Sequence, residues 1–273
     1  MAPRCVYTDL DGTLLGQGAS LFRDGEGGFT LLPARALEAC HRAGVEVVIK
    51  SGRRKAQVME DARLLGQNAY LFEMGAGLVI DGDETLLTGD WQPRDGKTVH
   101  ALVEESGAPA LLLEHYAGRL EPHAPWHLDR QVSHLFRGLV DPAEANALLE
   151  ERGPGDLRLV DNGAISARET ELELPGRPHA YHLVPAQVSK ANGVAAHMRA
   201  RGYAREDCLA VGDSREDLDV ASAVGRFFLV ANALEEDPGL SSVAAAHGNV
   251  EVTEAGHGEG FYEAVVRSLA ESR

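Results

Sequence analysis

The stretch Val6-Tyr7-Thr8-Asp9-Leu10-Asp11-Gly12-Thr13-Leu14 decides how this chain is read. Arg4 to Leu10 has the make-up of a short buried strand, and the chain breaks at Asp11-Gly12 into a glycine-rich loop running to about Gly28. Side chains alternate along a strand, so positions 9 and 11 share a side, and the start of the turn aims both carboxylates into one pocket. In open parallel sheets ligands bind beyond the carboxyl ends of the strands, where this pair falls. Two carboxylates so close repel unless a cation or a proton sits between them. A magnesium ion meets that need, because it is hard, takes oxygen ligands, and keeps waters and a substrate phosphate in its shell.

Working outward, the punctuation is that of alternating strands and helices. Pro33 suits the first turn of a helix in which Leu37, Cys40 and His41 share a face, and Gly44 is its left-handed cap. Val45 to Ile49 is the next strand, Ser51-Gly52 opens a helix ending near Gly66, and Tyr70 to Phe72 is a third strand. This rhythm is that of a parallel sheet. From about Glu84 it changes to mixed helices and strands, with strands expected at Leu111 to Leu113, Val132 to Phe136 and Leu157 to Val160, and a helix starting at Asp141-Pro142. After an exit at His179 to Pro185, a helix from Ser189 to Arg201, strands at Cys208 to Val211 and Phe227 to Val230, and an amphipathic helix from Phe261 to Leu269 restore the first pattern. The expected architecture is a Rossmann-like α/β core formed by residues 1–83 and 183–273, interrupted by an inserted α+β cap domain at 84–182.

A second acidic group follows the late strand, in Leu209-Ala210-Val211-Gly212-Asp213-Ser214-Arg215-Glu216-Asp217. Gly212 permits a tight turn, Asp213 points into the same cleft, and Asp217, four residues on, faces it from the first helical turn. Ser51 ends one strand and starts a helix, where hydroxyl and backbone N–H donors suit a phosphate oxygen. Lys190 opens the helix that leaves the insert and sets an ammonium against the same anion.

These residues, in order Asp9-Leu10-Asp11-Gly12-Thr13, Ser51, Lys190 and Gly212-Asp213-Ser214 with Asp217, resemble the four motifs of the haloacid dehalogenase superfamily of aspartate-nucleophile phosphatases. An insert between the Ser and Lys motifs resembles the larger cap of the Cof-type, or type IIB, branch, which includes mannosyl-3-phosphoglycerate phosphatase, sucrose-phosphate phosphatase and phosphomannomutase. The resemblance covers the α/β parts, about two thirds of the chain. It implies that Asp9 attacks phosphorus and becomes an aspartyl-phosphate, and that Asp11 first protonates the leaving oxygen and then deprotonates the hydrolytic water. It implies Mg2+ held by the Asp9 side chain, the Asp11 backbone carbonyl, Asp213 and Asp217, with Lys190 and Ser51 holding the phosphoryl oxygens. Gly52, Arg53 and Asn232 fall at positions resembling those that line the cleft. The second Asp favours phosphoryl transfer over carbon–halogen cleavage.

Three positions depart from the family pattern. Glu216 stands where many relatives carry Asn, Lys50 where an apolar or small residue is common, and Glu73-Met74-Gly75-Ala76 where an Asn-Gly pair is frequent near the cap hinge.

The 273 residues hold 42 acidic and 26 Lys or Arg residues, a formal net charge of −16, with 44% apolar and 25% charged residues. That balance excludes nucleic acid and an anionic membrane as main partners, and the mix is that of a globular protein with a core. With no apolar run approaching a membrane span and no signal-like start, the expected location is cytoplasmic. Cys5, Cys40 and Cys208 form no CxxC pair and are expected to be reduced and structural. In the insert, His115, His123, His127 and His134 show no metal spacing and read as surface or packing residues. Of Arg119, Arg130, Arg137 and Arg168, one or two suit a substrate carboxylate. Glu169, Glu171 and Glu173 read as a solvated strand face.

The sequence therefore points to a magnesium-dependent phosphatase acting on a small phosphorylated metabolite, with a sugar or sugar-acid phosphate as the leading class. The alternatives are a phosphosugar mutase of the phosphomannomutase type and a non-catalytic phosphometabolite-binding regulator.

Overall fold

The computed structural model describes residues 3–165, 170 and 172–271. Two sheets organise the chain. The first holds β1 (Cys5–Thr8), β2 (Glu46–Lys50), β3 (Ala69–Phe72), β4 (Gly77–Ile80), β5 (Asp83–Leu86), then β10 (Cys208–Gly212), β11 (Arg226–Leu229) and β12 (Val250–Val252). Its spatial order is β12-β11-β10-β1-β2-β3-β4-β5. All neighbours run parallel except the β3–β4 and β4–β5 pairs. Between β5 and β10 the chain builds a smaller antiparallel sheet of β6 (Leu120–Pro122), β7 (His134–Gly138), β8 (Leu157–Ala164) and β9 (His179–Pro185), ordered β6-β7-β9-β8.

The large sheet is covered on both faces, which is why every residue of β1 is buried. Val6 packs with Ala36 and Cys40 of α1 (Leu32–Ala43) and with Phe261, Ala264 and Val265 of the terminal helix (His257–Ala270). Cys5 and Tyr7 point the other way, onto Val194 and Met198 of the helix Lys190–Arg201. A third apolar cluster, including Phe136, Leu149, Leu159 and Tyr181, lies mostly in the insert and joins it to Met74 and Ala76.

In chain order the remaining helices are α2 (Lys55–Leu65), α3 (Val99–Glu105), α4 (Ala108–His115), α5 (Pro142–Arg152), α6 (Lys190–Arg201, above), α7 (Arg215–Leu218), α8 (Asn232–Glu236), α9 (Leu240–Ala245) and α10 (His257–Ala270). Gly44 caps α1 in the left-handed region, and Asp141 and Ser189 cap α5 and α6 by accepting from Ala143 and Asn192 backbone N–H groups.

Four expectations change. Leu111 to Leu113 is part of helix α4, because a three-leucine run carries no period of its own and Gly107 with Pro109 supplies a helix start. His41 is exposed, the buried face of α1 being Pro33, Ala36 and Cys40. Ser51 does not cap α2, which begins four residues later with Arg54 at its N-cap. The changes of sheet fall after Leu86 and after Pro185, because the hairpin β4–β5 extends the large sheet and β9 runs on to Pro185. Arg168, Glu169 and Glu171 lie outside the described residues.

Candidate active site

Asp9 and Asp213 each follow the carboxyl end of a strand, β1 and β10, which are neighbours in the sheet, and Asp217 sits in α7 just beyond. Ligand oxygens of these three carboxylates lie within 4.8 Å of one another. The local backbone is shaped for that convergence. Gly12 holds φ +80° with the Asp213 carboxylate packed where a Cβ would stand, and a Cβ at Gly212 would run into the Asp217 side chain. Thr13 donates to Asp213 Oδ1 at 2.6 Å. Asn232 donates to the Gly12 carbonyl at 3.0 Å and accepts from the His257 N–H at 2.7 Å. Its amide is thus spent on backbone that braces the Asp11-Gly12 turn, and Asn232 is not among the residues lining the cavity described below.

Asp217 is fully buried, and both of its oxygens are engaged. Oδ1 accepts from Lys50 Nζ at 2.5 Å and from Lys190 Nζ at 2.9 Å, while Oδ2 accepts from the Ser214 hydroxyl at 2.6 Å. Lys190, also fully buried, stands 3.4 Å from Asp9 Oδ1, an ion-pair distance at which that oxygen makes no hydrogen bond among the described residues. The three acids divide accordingly. Burial pushes the Asp9 carboxyl up to about 6 against the pull of Lys190, and burial together with the Asp9 and Asp217 charges lifts Asp213 well above the usual carboxylate range. Burial also opposes the charge of Asp217, but Lys190 and Lys50 outweigh it and hold that carboxyl below its ordinary value. Asp217 is the settled anion that anchors two ammoniums. Asp9 and Asp213 form a carboxylate pair that is not balanced within the protein. That imbalance, with the orphaned Asp9 Oδ1, fits a hard cation bound by Asp9 and Asp213.

The Asp11 side chain is exposed and turned toward Arg53, which grips it through Nε–Oδ2 at 2.8 Å and Nη2–Oδ1 at 2.6 Å and reaches Asp61 through Nη1 at 2.8 Å. Ser51 is buried in the turn after β2, its hydroxyl accepting from the Arg53 N–H at 3.1 Å. Asp9, Asp11, Ser51, Gly52, Arg53 and Asp213 line a cavity of ≈ 750 Å³ between the two sheets. Its opposite wall comes from the insert: His123, Trp126, Arg130, Asn162, His179 and His182. Of the four insert histidines singled out in sequence, only His123 reaches this wall.

Other groups join the sheets. Glu73 is fully buried with φ +46° and accepts from the backbone N–H groups of Gln131, Val132 and Ser133 at 2.8, 3.0 and 2.7 Å, and from the Ser133 hydroxyl at 3.0 Å. Arg130 Nη1 donates to the Gly52 carbonyl at 3.1 Å and to Ser133 Oγ at 2.9 Å. Arg158, on β8, donates to Glu216 at 3.2 Å and to the Val188 carbonyl at 2.6 Å. The sequence departures are explained here: Lys50 is the second cation on Asp217, Glu216 is the core end of an ion pair to the insert, and Glu73 fills a ring of insert N–H donors. Sequence reasoning flagged all three positions but could not assign these partners, which lie 58 to 167 residues away.

Residues 174–239 match the model of the haloacid dehalogenase-like hydrolases. The chain is 26% identical to phosphoglycolate phosphatase of Methanothermobacter thermautotrophicus over 97% of this chain and 99% of that protein. It is 27% identical to phosphoglycolate phosphatase of Archaeoglobus fulgidus over 96% of each. Its fold is similar to that of the sucrose-phosphatase of Synechocystis, with a TM-score of 0.67, 15% identity and 98% of both chains covered. Motif order, paired strand-end acids, the interposed antiparallel sheet and these similarities agree: along nearly its whole length the chain is similar to phosphatases, and residues 174–239 carry the signature of the haloacid dehalogenase-like hydrolases.

Proposed function

We propose that the protein is a Mg2+-dependent phosphomonoesterase that works through an aspartyl-phosphate on Asp9, and that its substrate is a small phosphorylated acid. The reading rests above all on one observation: Asp9 is buried at the strand end with an unbonded oxygen, 3.4 Å from Lys190 and beside Asp213.

In this reading Asp9 and Asp213 hold the metal with the Asp11 carbonyl, while Asp217 anchors Lys50 and Lys190 through Oδ1 and keeps an Oδ2 lone pair for the metal or a water on it. Bound there, Mg2+ supplies electrostatic stabilisation to the phosphoryl oxygens. An Asp9 oxygen attacks phosphorus as the phosphorus–oxygen bond to the leaving group breaks, and Asp11, protonated, gives its proton to the departing oxygen. Asp11 then takes a proton from water, whose oxygen attacks phosphorus and releases phosphate and the Asp9 carboxylate. Lys190 and Ser51 hold the phosphoryl oxygens, and Arg53 keeps the Asp11 carboxylate at the cavity rim. The large sheet with its helices forms the core, and the segment between Leu86 and Pro185 forms the cap.

Arg130 and the histidines of the cap wall suit the carboxylate of a short acid, the class named for the archaeal relatives. A sugar phosphate is the second reading, favoured by the size of the cavity, ≈ 750 Å³. The test is a panel of phosphomonoesters with Mg2+, read as released phosphate and kcat/KM. Preference for phosphoglycolate-like acids over hexose phosphates supports the first reading, the reverse order supports the second, and isomerised sugar phosphate without free phosphate sinks both.

A further inference from the structure

The other end of β1 carries a second cluster of ligand-type side chains with a different character. Cys5 begins β1 and pairs on one rung with Glu46 of β2 and Cys208 of β10. Neighbouring strands in register present rung partners to the same face, and on that face α6 lays His197. The Cys5 sulfur, a Glu46 carboxylate oxygen and a His197 ring nitrogen all lie within 4.8 Å of one another. Cys5 and His197 are 0% exposed and Cys208 2%.

His197 points to an occupant. Its Nδ1 is 2.8 Å from the Tyr7 hydroxyl, while Nε2, fully buried, has no hydrogen-bond partner among the described residues and stands 3.7 Å from Glu46 Oε2. When Nδ1–H donates to Tyr7, Nε2 presents a bare lone pair to the cluster, as an outer partner does for a metal-binding histidine. Glu46 Oε1 is occupied by Arg201 at 3.1 Å, and Oε2 accepts from the Tyr203 hydroxyl at 2.9 Å. A carboxylate oxygen has two lone pairs, so Oε2 retains one for a cation. The Glu46 side chain is 21% exposed, which leaves an entry from solvent.

We propose that Cys5, His197 and Glu46 form a second metal site, with water as the fourth ligand, for a borderline divalent cation of the zinc class. One sulfur, one imidazole, one carboxylate and a water are donors such a cation takes in tetrahedral geometry, and they are a poor set for magnesium. The site lies about four strand residues, or ~13 Å, from the Asp9 end and shares no ligand with it.

Co2+ is the probe, added to enzyme kept in excess Mg2+. The expected result is one tightly held Co2+ per chain with a thiolate-to-cobalt charge-transfer band, tetrahedral visible bands, and proton release on uptake. The band should persist in Asp9→Asn and in Cys40→Ser, whose sulfur belongs to the opposite face of the sheet. It should vanish in Cys5→Ser and in His197→Gln. Absence of a thiolate band in the wild-type protein overturns the proposal, as does a band of unchanged intensity in Cys5→Ser. Should Cys5→Ser not fold, His197→Gln decides: a wild-type spectrum in that variant rules the site out.

Discussion

Asp217 and Glu73 are both carboxylates buried to 0% exposure, yet they are neutralised in opposite ways. Asp217 is met by two ammonium groups and a hydroxyl, all from the core. Glu73 is met by three backbone N–H groups and a hydroxyl, all from the inserted segment. The first arrangement sets a field, because Lys190 also stands 3.4 Å from Asp9 Oδ1. The second fixes a position, because a ring of N–H donors holds only when the two sheets are in one relative placement. Buried charge tunes chemistry in one region and geometry in the other.

The largest expected effect lies beside Asp217, at the group its lysines serve. On the proposed mechanism Asp9→Asn removes the attacking carboxylate and should lower kcat by at least about 10³-fold, with far-UV circular dichroism unchanged. Wild-type turnover in that variant would remove the covalent reading. Next comes the joint. Glu73→Gln turns an amide NH2 toward N–H donors and should cost about 2–3 kcal/mol in urea unfolding, since hydrogen bonds to a charged group are lost and donors are left buried. A change below ~0.5 kcal/mol would show that the N–H ring does not hold the sheets.

Lys50→Met, a substitution of similar volume, should cost about 1–3 kcal/mol, less than the ~3–5 kcal/mol of a buried charge left alone, because Lys190 and Ser214 still reach Asp217. Its KM should rise more than its kcat falls. Equal loss in both would place Lys50 with the catalytic groups and blur the contrast. The smallest effect belongs to a pair at the cavity rim, where the hydrogen bond that His179 Nδ1 donates to the Asp161 carboxylate, 2.8 Å away, raises the His179 pKa above the usual value. A raised pKa means that this pair stabilises the fold fully below about pH 6.5, the value of a free histidine, and less as pH rises through the folded value. The melting-temperature gap between wild type and Asp161→Asn should therefore narrow between pH 6 and pH 8, and a gap that widens would reverse the assignment.

Much of the fold was legible because its signals are local. The Gly44 cap, the Asp141-Pro142 and Ser189 helix starts, and the apolar strands around Tyr7 and Ala210 depend on residues within one turn or rung of themselves. Leu111 to Leu113 was misread because three apolar residues fit either period, and the hairpin β4–β5 was missed because its second strand, Asp83–Leu86, is largely exposed and carries little apolar pattern. The acids were legible as motifs, but their partners were not. Nothing near Lys50 in sequence predicts Asp217, and nothing near Asp11 shows that Arg53 holds it in a two-pronged grip.

The sequence by itself determined the order of strands and helices, the presence of an insert, and four acids at the ends of two strands, because strand alternation and helix caps are short-range rules. Only the tertiary structure decided which acid stays charged without a bound cation, which backbone the Asn232 amide braces, and how Glu73 ties the two sheets. The reason is physical: burial and charge neutralisation depend on groups brought together across distances in sequence that no local pattern records.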